Sequence, residues 1–203
     1  MDLTDKIGEH LADPSKYPDD AARVNTLINI PLKGVGLDIG CSDGAVITRW
    51  VAKHIKDIPR AYAIDTRDVS WQVMKAAQTQ GLTYNELVFV RVTHDDLLPI
   101  PPTISQKSFD WVTMTEVLEH MTVIDSEYLL DEVQKRTHVD SQVIITVPNR
   151  DYVKDLQRER WSWPDHQQFF DGESLHRMLR RRFRYVNVME IVEGIWLLAQ
   201  CRV

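Results

Sequence analysis

The stretch Leu37-Asp38-Ile39-Gly40-Cys41-Ser42-Asp43-Gly44 decides the fold class of this chain. It places a glycine turn directly after a short apolar strand, and a helical pattern starts near Gly44. Glycine allows a sharp turn and leaves room for a ligand beside the backbone, because it has no Cβ. The first amide groups of the following helix are unpaired and attract polar ligand groups. The stretch therefore predicts either a ligand-binding strand–turn–helix unit or a tight turn with a purely structural role.

Working outward from this turn, short apolar strands alternate with helical stretches from residue 33 onward. The predicted strands are Gly34–Ile39, Ala61–Asp65, Leu87–Val92, Phe109–Met114, Gln142–Val147, Tyr185–Ile191 and Ile195–Arg202. The predicted helices are Gly44–Lys56, Val69–Gln80, Ser126–Arg136 and Gly172–Arg182. Almost entirely apolar runs such as residues 143–147 are typical of strands that helices cover on both faces. This alternation predicts an α/β fold with a doubly wound, mostly parallel sheet.

The last two predicted strands are separated only by Val192-Glu193-Gly194. A parallel connection needs a crossover of a dozen or more residues, so this segment is too short for one. The two strands are therefore predicted to form an antiparallel hairpin.

Composition limits the function classes. With 24 Lys and Arg against 30 Asp and Glu, the 203-residue chain has a formal net charge of −6, which argues against a basic coat for nucleic acid. No window approaches the roughly 18 apolar residues of a membrane span, and the polar start MDLTDKIGEH lacks a secretory pattern. Cys41 and Cys201 are far apart and lack metal-ligand spacing. We therefore expect a cytoplasmic protein with no membrane partner.

The chain shows no repeat and no linker that would divide it, so a single domain over residues 1–203 is predicted. Residues 1–30 are interpreted as an N-terminal helical arm, in which Asp19-Asp20 cap a helix, and residues 33–203 as the core. The segment 151–165 is long for a connection in a compact domain. Because long loops commonly carry function, we interpret it as a substrate loop.

An acidic residue, Asp65, closes the second predicted strand, 21 residues after Gly44. At this place in a nucleotide-binding unit, a carboxylate accepts the hydroxyl groups of a ribose. Asp38 and Asp43 add negative charge beside the turn, which would repel a pyrophosphate and attract a ligand that carries positive charge. The charges therefore favour S-adenosylmethionine over NAD as the cofactor.

Five segments in this order resemble the Rossmann-like (class I) S-adenosylmethionine-dependent methyltransferases. They are LDIGCSDG (37–44), THDDLLP (93–99), FDWVTMTEVLEHM (109–121), QVIITVPN (142–149) and HQQFFDGESLHRML (166–179). The resemblance implies methyltransferase activity and a seven-stranded sheet of order 3-2-1-4-5-7-6, in which the last strand is antiparallel. The chain departs from the pattern at Ser42, where many of these enzymes have glycine.

The resemblance also implies roles for individual residues. The methionine end of the cofactor would be held by Asp38, Gly40, Ser42 and Gly44. The ribose would be held by Asp65 and Thr66, and the adenine would be bordered by Asp95, Asp96 and Leu97. Near the sulfonium, the backbone contact would come from Thr115.

Three polar residues follow the fourth predicted strand: Glu116, Glu119 and His120. If a helix begins at Glu116, their i, i+3, i+4 spacing places all three on one face. Two carboxylates and an imidazole can bind a divalent cation, and His166 would add a second imidazole. The pattern resembles the metal-dependent small-RNA 3′-terminal 2′-O-methyltransferases. That resemblance implies Glu116, Glu119, His120 and His166 as ligands of a divalent metal, which would be Mn, Fe, Co or Mg.

A metal-free site is the alternative that we favour. Small-molecule methyltransferases of the ubiquinone-biosynthesis type are similar to this chain at the same E-V-L-E-H segment, and they use it without a metal. This resemblance implies Glu116, His120 and His166 as catalytic residues, with a histidine as the general base. We therefore predict methyl transfer to an oxygen or nitrogen of a small-molecule metabolite.

Two other hypotheses stay open. The first is metal-dependent methylation of an RNA 3′ terminus, for which the five arginines of residues 177–184 would contact phosphate groups. The same arginines also suit the solvent-facing C-terminal end of a helix. The second is a regulatory or scaffold protein that binds S-adenosylmethionine without transferring its methyl group.

Overall fold

The computed structural model describes residues 13–92, 104, 108–152 and 166–203. It consists of two compact units, Met1–Leu97 and Leu98–Val203. Among the described residues, none of the helices combines the length and the apolar character that crossing a membrane requires.

The first unit alternates helices with parallel strands. Its elements are α1 (Pro18–Ile28), β1 (Gly36–Ile39), α2 (Ala45–Lys53), β2 (Ala61–Asp65), α3 (Ser70–Thr79) and β3 (Leu87–Arg91). Strand β2 pairs in parallel with both β1 and β3. Every residue of β1 and β2 is buried, which explains why these strands are apolar almost throughout. The predicted N-terminal helix is present as α1, but the prediction that Asp19-Asp20 cap it is wrong: the helix begins at Pro18 after Tyr17, and both aspartates lie in its first turn.

The second unit ends in an antiparallel hairpin. Its elements are β4 (Phe109–Thr115), a 3₁₀ turn (Leu118–His120), α4 (Val123–Lys135), β5 (Thr137–Pro148), α5 (Gly172–Leu179), β6 (Tyr185–Ile191) and β7 (Trp196–Arg202). Strands β4 and β5 are parallel, whereas β7 is antiparallel to β5 and β6. The hairpin predicted from its short connection is therefore confirmed.

The strands form a seven-stranded sheet of order β3-β2-β1-β4-β5-β7-β6. This order and the antiparallel β7 confirm the doubly wound α/β fold. In such folds, ligands bind beyond the carboxyl ends of the parallel strands, where the order reverses.

Helices α2 and α5 each end three residues before the predicted end. Two elements begin three or more residues before the predicted start, and polar contacts explain both. Strand β5 begins at Thr137 rather than Gln142, because the buried Ser141 hydroxyl donates to the Phe109 carbonyl at 2.7 Å and holds the polar start of β5 against β4. Helix α4 begins at Val123 rather than Ser126, because the Thr122 hydroxyl caps it by accepting the Asp125 N–H at 3.1 Å.

Candidate active site

The turn after β1 contains three residues with left-handed backbone: Gly40 (φ 72°), Ser42 (φ 50°) and Gly44 (φ 76°). The amides of Gly40 and Cys41 both donate to the Ile64 carbonyl, at 2.9 and 3.1 Å, so the turn is fixed against the end of β2. Glycine adopts this backbone readily, whereas another residue pays about 1–2 kcal/mol. Ser42, the departure from the family pattern, therefore occupies a position at which glycine has a conformational advantage.

Gly44 is required for a second reason, which is packing. A Cβ at this position would lie 3.0 Å from the Cα atom of Val73 in α3 and 3.2 Å from its Cβ atom. Helix α3 therefore packs directly against the backbone of the turn, and the shape of the turn depends on that contact.

Two buried carboxylates flank the turn. Asp38 in β1 is 4% exposed, and Asp65 at the end of β2 is 6% exposed. Burial raises the pKa of the Cys41 thiol well above the usual value, and the negative charges of Asp38 and Asp65 raise it further, whereas the Arg67 charge lowers it. A ligand with a cationic group gains from this field, whereas a pyrophosphate would be repelled.

Asp65 accepts four hydrogen bonds, one of which joins β2 to the turn. Its Oδ2 atom accepts the Ser42 N–H at 2.9 Å, and its Oδ1 atom accepts the Arg67 N–H at 2.9 Å. The Arg67 guanidinium also donates to Oδ1 from Nε at 3.1 Å and to Oδ2 from Nη2 at 3.3 Å. Sequence reasoning missed Arg67, and its only signal in the sequence is a basic side chain two residues after the ribose-binding acid.

The other residues predicted to bind the cofactor are only partly covered by the structure. Thr66 follows β2 and Thr115 ends β4, and both are half-buried. The predicted adenine-binding residues, Asp95, Asp96 and Leu97, lie outside the described residues, as do residues 153–165 of the predicted substrate loop. Their roles stay predictions.

The condition for placing Glu116, Glu119 and His120 on one helical face, a helix that begins at about Glu116, is not met. Glu116 has a left-handed φ of 58°, and its N–H donates to the Thr146 carbonyl at 3.0 Å, so the chain leaves β4 in a turn. The Glu116 Oε2 atom accepts the indole N–H of Trp196 at 2.9 Å. Because this backbone is not helical, the spacing argument that placed Glu116, Glu119 and His120 on one helical face does not apply.

Three of the four residues predicted as metal ligands nevertheless come together: Glu119, His120 and His166. One potential ligand atom from each lies within 4.8 Å of the others. The two imidazole rings are 4.8 Å apart between centroids at an interplanar angle of 78°, and His120 Nε2 lies 3.9 Å from Glu119 Oε1. Glu119 is buried, whereas both histidines are half-exposed. A buried carboxylate beside two accessible imidazoles can accept a proton or bind a divalent metal.

Gln167 and Gln168 hold this cluster in place from the segment that carries His166. Their backbone N–H groups both donate to the Glu119 carbonyl, at 2.7 and 3.1 Å. The buried Gln168 amide also donates to the Leu118 and Met121 carbonyls, at 3.1 and 3.0 Å. These contacts lie across about fifty residues of sequence, so no local pattern indicated them.

The arginine cluster of residues 177–184 is largely paired with acidic side chains. Arg177 donates to Glu173 at 2.7 Å, and Arg181 and Arg182 reach Glu127 of α4 at 2.9 and 2.5 Å. Arg182 also donates to Asp131 at 2.5 Å. Because much of the positive charge is compensated within the chain, this cluster offers a weaker phosphate-binding surface than the sequence indicates.

Comparison with known proteins supplies the family. A family model described as "Methyltransferase domain" matches residues 11–183. The comparison with curated proteins gave no match.

Solved structures share the fold at low identity. An O-methyltransferase family protein from Burkholderia thailandensis is 12% identical with a TM-score of 0.72, and the match covers 98% of this chain but only 63% of that one. The methyltransferase domain of bacterial CtHen1 is 15% identical with a TM-score of 0.71, over 91% of this chain and all of that one. DhpI in complex with S-adenosylhomocysteine is 20% identical with a TM-score of 0.67, and the match covers 97% of this chain and 91% of that one.

Proposed function

Because this chain belongs to the methyltransferase-domain family and is an enzyme of that class, we propose that it transfers the methyl group of S-adenosylmethionine to an oxygen or nitrogen of a small-molecule metabolite. The main support for S-adenosylmethionine as the cofactor is the hydrogen bond from the Ser42 N–H to the buried Asp65 carboxylate. It joins the acid suited to a ribose directly to the glycine turn suited to the methionine end. The negative field around Cys41 supports a cationic ligand at this turn.

When bound, S-adenosylmethionine supplies a methyl group on a sulfonium and leaves as S-adenosylhomocysteine. In our proposal Asp65 and Thr66 bind the ribose, and the backbone of the turn with Asp38 binds the amino-acid end. His120 accepts the proton of the acceptor O–H or N–H while the acceptor forms its bond to the methyl carbon. Glu119, 3.9 Å from His120 Nε2, then faces the imidazolium that this proton creates. In-line transfer mainly requires alignment, which a fixed cluster supplies.

A metal-dependent RNA 3′-terminal 2′-O-methyltransferase is the second candidate function. The gathering of Glu119, His120 and His166 favours it, since two imidazoles and a carboxylate suit Mn, Fe or Co. These three residues would hold the metal, which would activate the attacking hydroxyl as a Lewis acid. Two observations count against it: Glu116 binds Trp196, and the arginines that would contact RNA are largely paired with carboxylates. A role without catalysis has less support, because the family is an enzyme family. The cytoplasm remains the proposed location.

The cofactor assignment is tested by titrating S-adenosylhomocysteine calorimetrically into Asp65→Ala. Loss of two charge-assisted hydrogen bonds to ribose hydroxyls should weaken binding at least about 100-fold. Asp68→Ala is the matched control, because Asp68 is an exposed acid three residues away that binds Ser70. Equal affinities of wild type and Asp65→Ala, with both proteins folded, would remove the main support for the proposal.

The acceptor class is tested by following transfer of labelled methyl from S-adenosylmethionine to a metabolite extract and to short RNAs, with and without EDTA. We expect labelled metabolites, no effect of EDTA, and loss of transfer in His120→Ala. Labelled RNA that disappears with EDTA and returns with Mn²⁺ would instead establish the second candidate.

A further inference from the structure

We propose that Arg67 determines cofactor affinity by competing with the ribose for Asp65: in the cofactor-free enzyme its guanidinium occupies the carboxylate, and the cofactor must displace it. This inference rests on the proposed use of Asp65 for ribose binding.

The Asp65 carboxylate has no acceptor site left for a further donor. A carboxylate offers about four lone-pair sites, two on each oxygen. On Asp65, Oδ1 accepts the backbone N–H and the Nε–H of Arg67, at 2.9 and 3.1 Å. Oδ2 accepts the Ser42 N–H at 2.9 Å and the Arg67 Nη2 group at 3.3 Å. Every acceptor site of this buried carboxylate is therefore in use.

Only one of these donors can leave without unfolding local structure. The Ser42 amide belongs to the turn that is fixed against β2, and the Arg67 amide belongs to the chain directly after β2. The guanidinium, in contrast, is at the end of a long side chain that is 32% exposed, while Asp65 is almost inaccessible at 6%. A side chain of this kind can rotate into water and keep its charge solvated.

Two hydroxyl groups of a ribose need two acceptor sites, and the guanidinium holds two. Cofactor binding therefore exchanges two guanidinium hydrogen bonds for two hydroxyl hydrogen bonds on the same oxygens. In the cofactor-free enzyme, the Arg67 guanidinium supplies hydrogen bonds and a counter-charge to the buried Asp65 carboxylate, because an unpaired buried charge would be costly. The cofactor can bind only after the Arg67–Asp65 contact has broken, and breaking it costs free energy. The apparent affinity for the cofactor is therefore lower than it would be without Arg67.

The test is calorimetric titration of S-adenosylhomocysteine into wild type, Arg67→Ala, Arg67→Lys and Arg60→Ala, in 20 mM and 500 mM NaCl. Arg60 is the matched control, because it is an exposed arginine of the same unit whose Nε donates to the Asn85 carbonyl. We expect Arg67→Ala to bind about three- to tenfold more tightly than wild type at low salt, from loss of a partly exposed bidentate pair. Arg67→Lys should lie between them, and Arg60→Ala should equal wild type.

High salt should narrow the difference between wild type and Arg67→Ala, because screening weakens the competing ion pair. In an Asp65→Asn background, Arg67→Ala should give no gain, since the carboxylate for which it competes is gone. If wild type binds and Arg67→Ala binds equally or more weakly, the competition proposal is wrong and the cofactor proposal stands. If neither wild type nor any folded variant binds, the cofactor proposal itself fails.

Discussion

Replacing Gln168 by methionine tests how the cluster of Glu119, His120 and His166 is held in place. Methionine has a similar volume and shape, so the change removes the amide without leaving a large cavity. The backbone N–H of Gln168, which donates to the Glu119 carbonyl, is unaffected. The variant therefore isolates the contribution of one buried side-chain amide.

The expected loss follows from the contacts of the amide. Its nitrogen lies 2.6 Å from the Ser126 hydroxyl, 3.0 Å from the Met121 carbonyl and 3.1 Å from the Leu118 carbonyl. Two N–H groups can make two full bonds, each worth about 0.5–1.5 kcal/mol net, and at least one buried acceptor is left unsatisfied at about 1–3 kcal/mol. We expect Gln168→Met to lower the free energy of unfolding by about 2–6 kcal/mol.

Gln167→Met is the matched control in the same segment. The Gln167 amide is exposed and makes one bond, to the His120 carbonyl at 3.0 Å, so its loss should cost less than about 1 kcal/mol. Urea unfolding followed by circular dichroism gives both values. Proton NMR of the imidazoles should show shifted His120 and His166 signals in Gln168→Met and not in Gln167→Met. Equal losses in the two variants, with unmoved imidazole signals, would refute the reasoning.

Three further predictions concern the turn and the buried thiols. Gly44→Ala should lower the free energy of unfolding by about 2–4 kcal/mol, because its methyl group strains the backbone and also meets Val73. Gly81→Ala, with φ 73° but open space around its Cβ position, should lower it by only about 1 kcal/mol. The difference between the two variants in urea unfolding measures the contribution of packing. Ser42→Gly should raise the melting temperature slightly, since relief of the left-handed backbone outweighs the added entropy of the unfolded chain, and a lower melting temperature would contradict the strain argument. Folding raises the pKa of Cys201 from 9.0 to about 12 and that of Cys41 well above its usual value. The stability that these thiols contribute is therefore fully present below about pH 9 and is lost as the pH rises toward 12. Between these pH values, the free energy of unfolding measured in urea should decrease more steeply for wild type than for a variant with both cysteines replaced by alanine.

The strands, their alternation with helices and the final antiparallel hairpin could be predicted from the sequence because their determinants are local, whereas the strand order was implied only by the family resemblance. Apolar runs such as residues 143–147 mark buried strands, and the lengths of the connections separate parallel crossovers from the final hairpin. The position of Asp65 at the end of β2 follows from the same pattern. The position of the glycine turn between β1 and α2 follows for the same reason, since a turn between adjacent elements is a short-range feature.

The candidate catalytic cluster was predicted only in part, because its geometry depends on long-range contacts. The sequence grouped Glu116 with Glu119 and His120 on the condition of a helix, but Glu116 has a left-handed φ and accepts a hydrogen bond from Trp196, eighty residues away. His166 was placed at the same cluster because the segment after the fifth strand returns to that rim of the sheet and because the family resemblance implied it. Its ring centroid lies 4.8 Å from that of His120.

Charge shows the same division between sequence and structure. The arginines of residues 177–184 indicate a basic surface, but Arg181 and Arg182 donate hydrogen bonds to carboxylates of α4, about fifty residues earlier in the sequence. Likewise, the sequence identifies Asp65 as an acid suited to ribose, and only the folded chain shows that Arg67 occupies it. Period and spacing determine which elements form, because they act within one strand or helix. Packing decides which side chains meet, because partners distant in sequence become neighbours only when the elements are assembled.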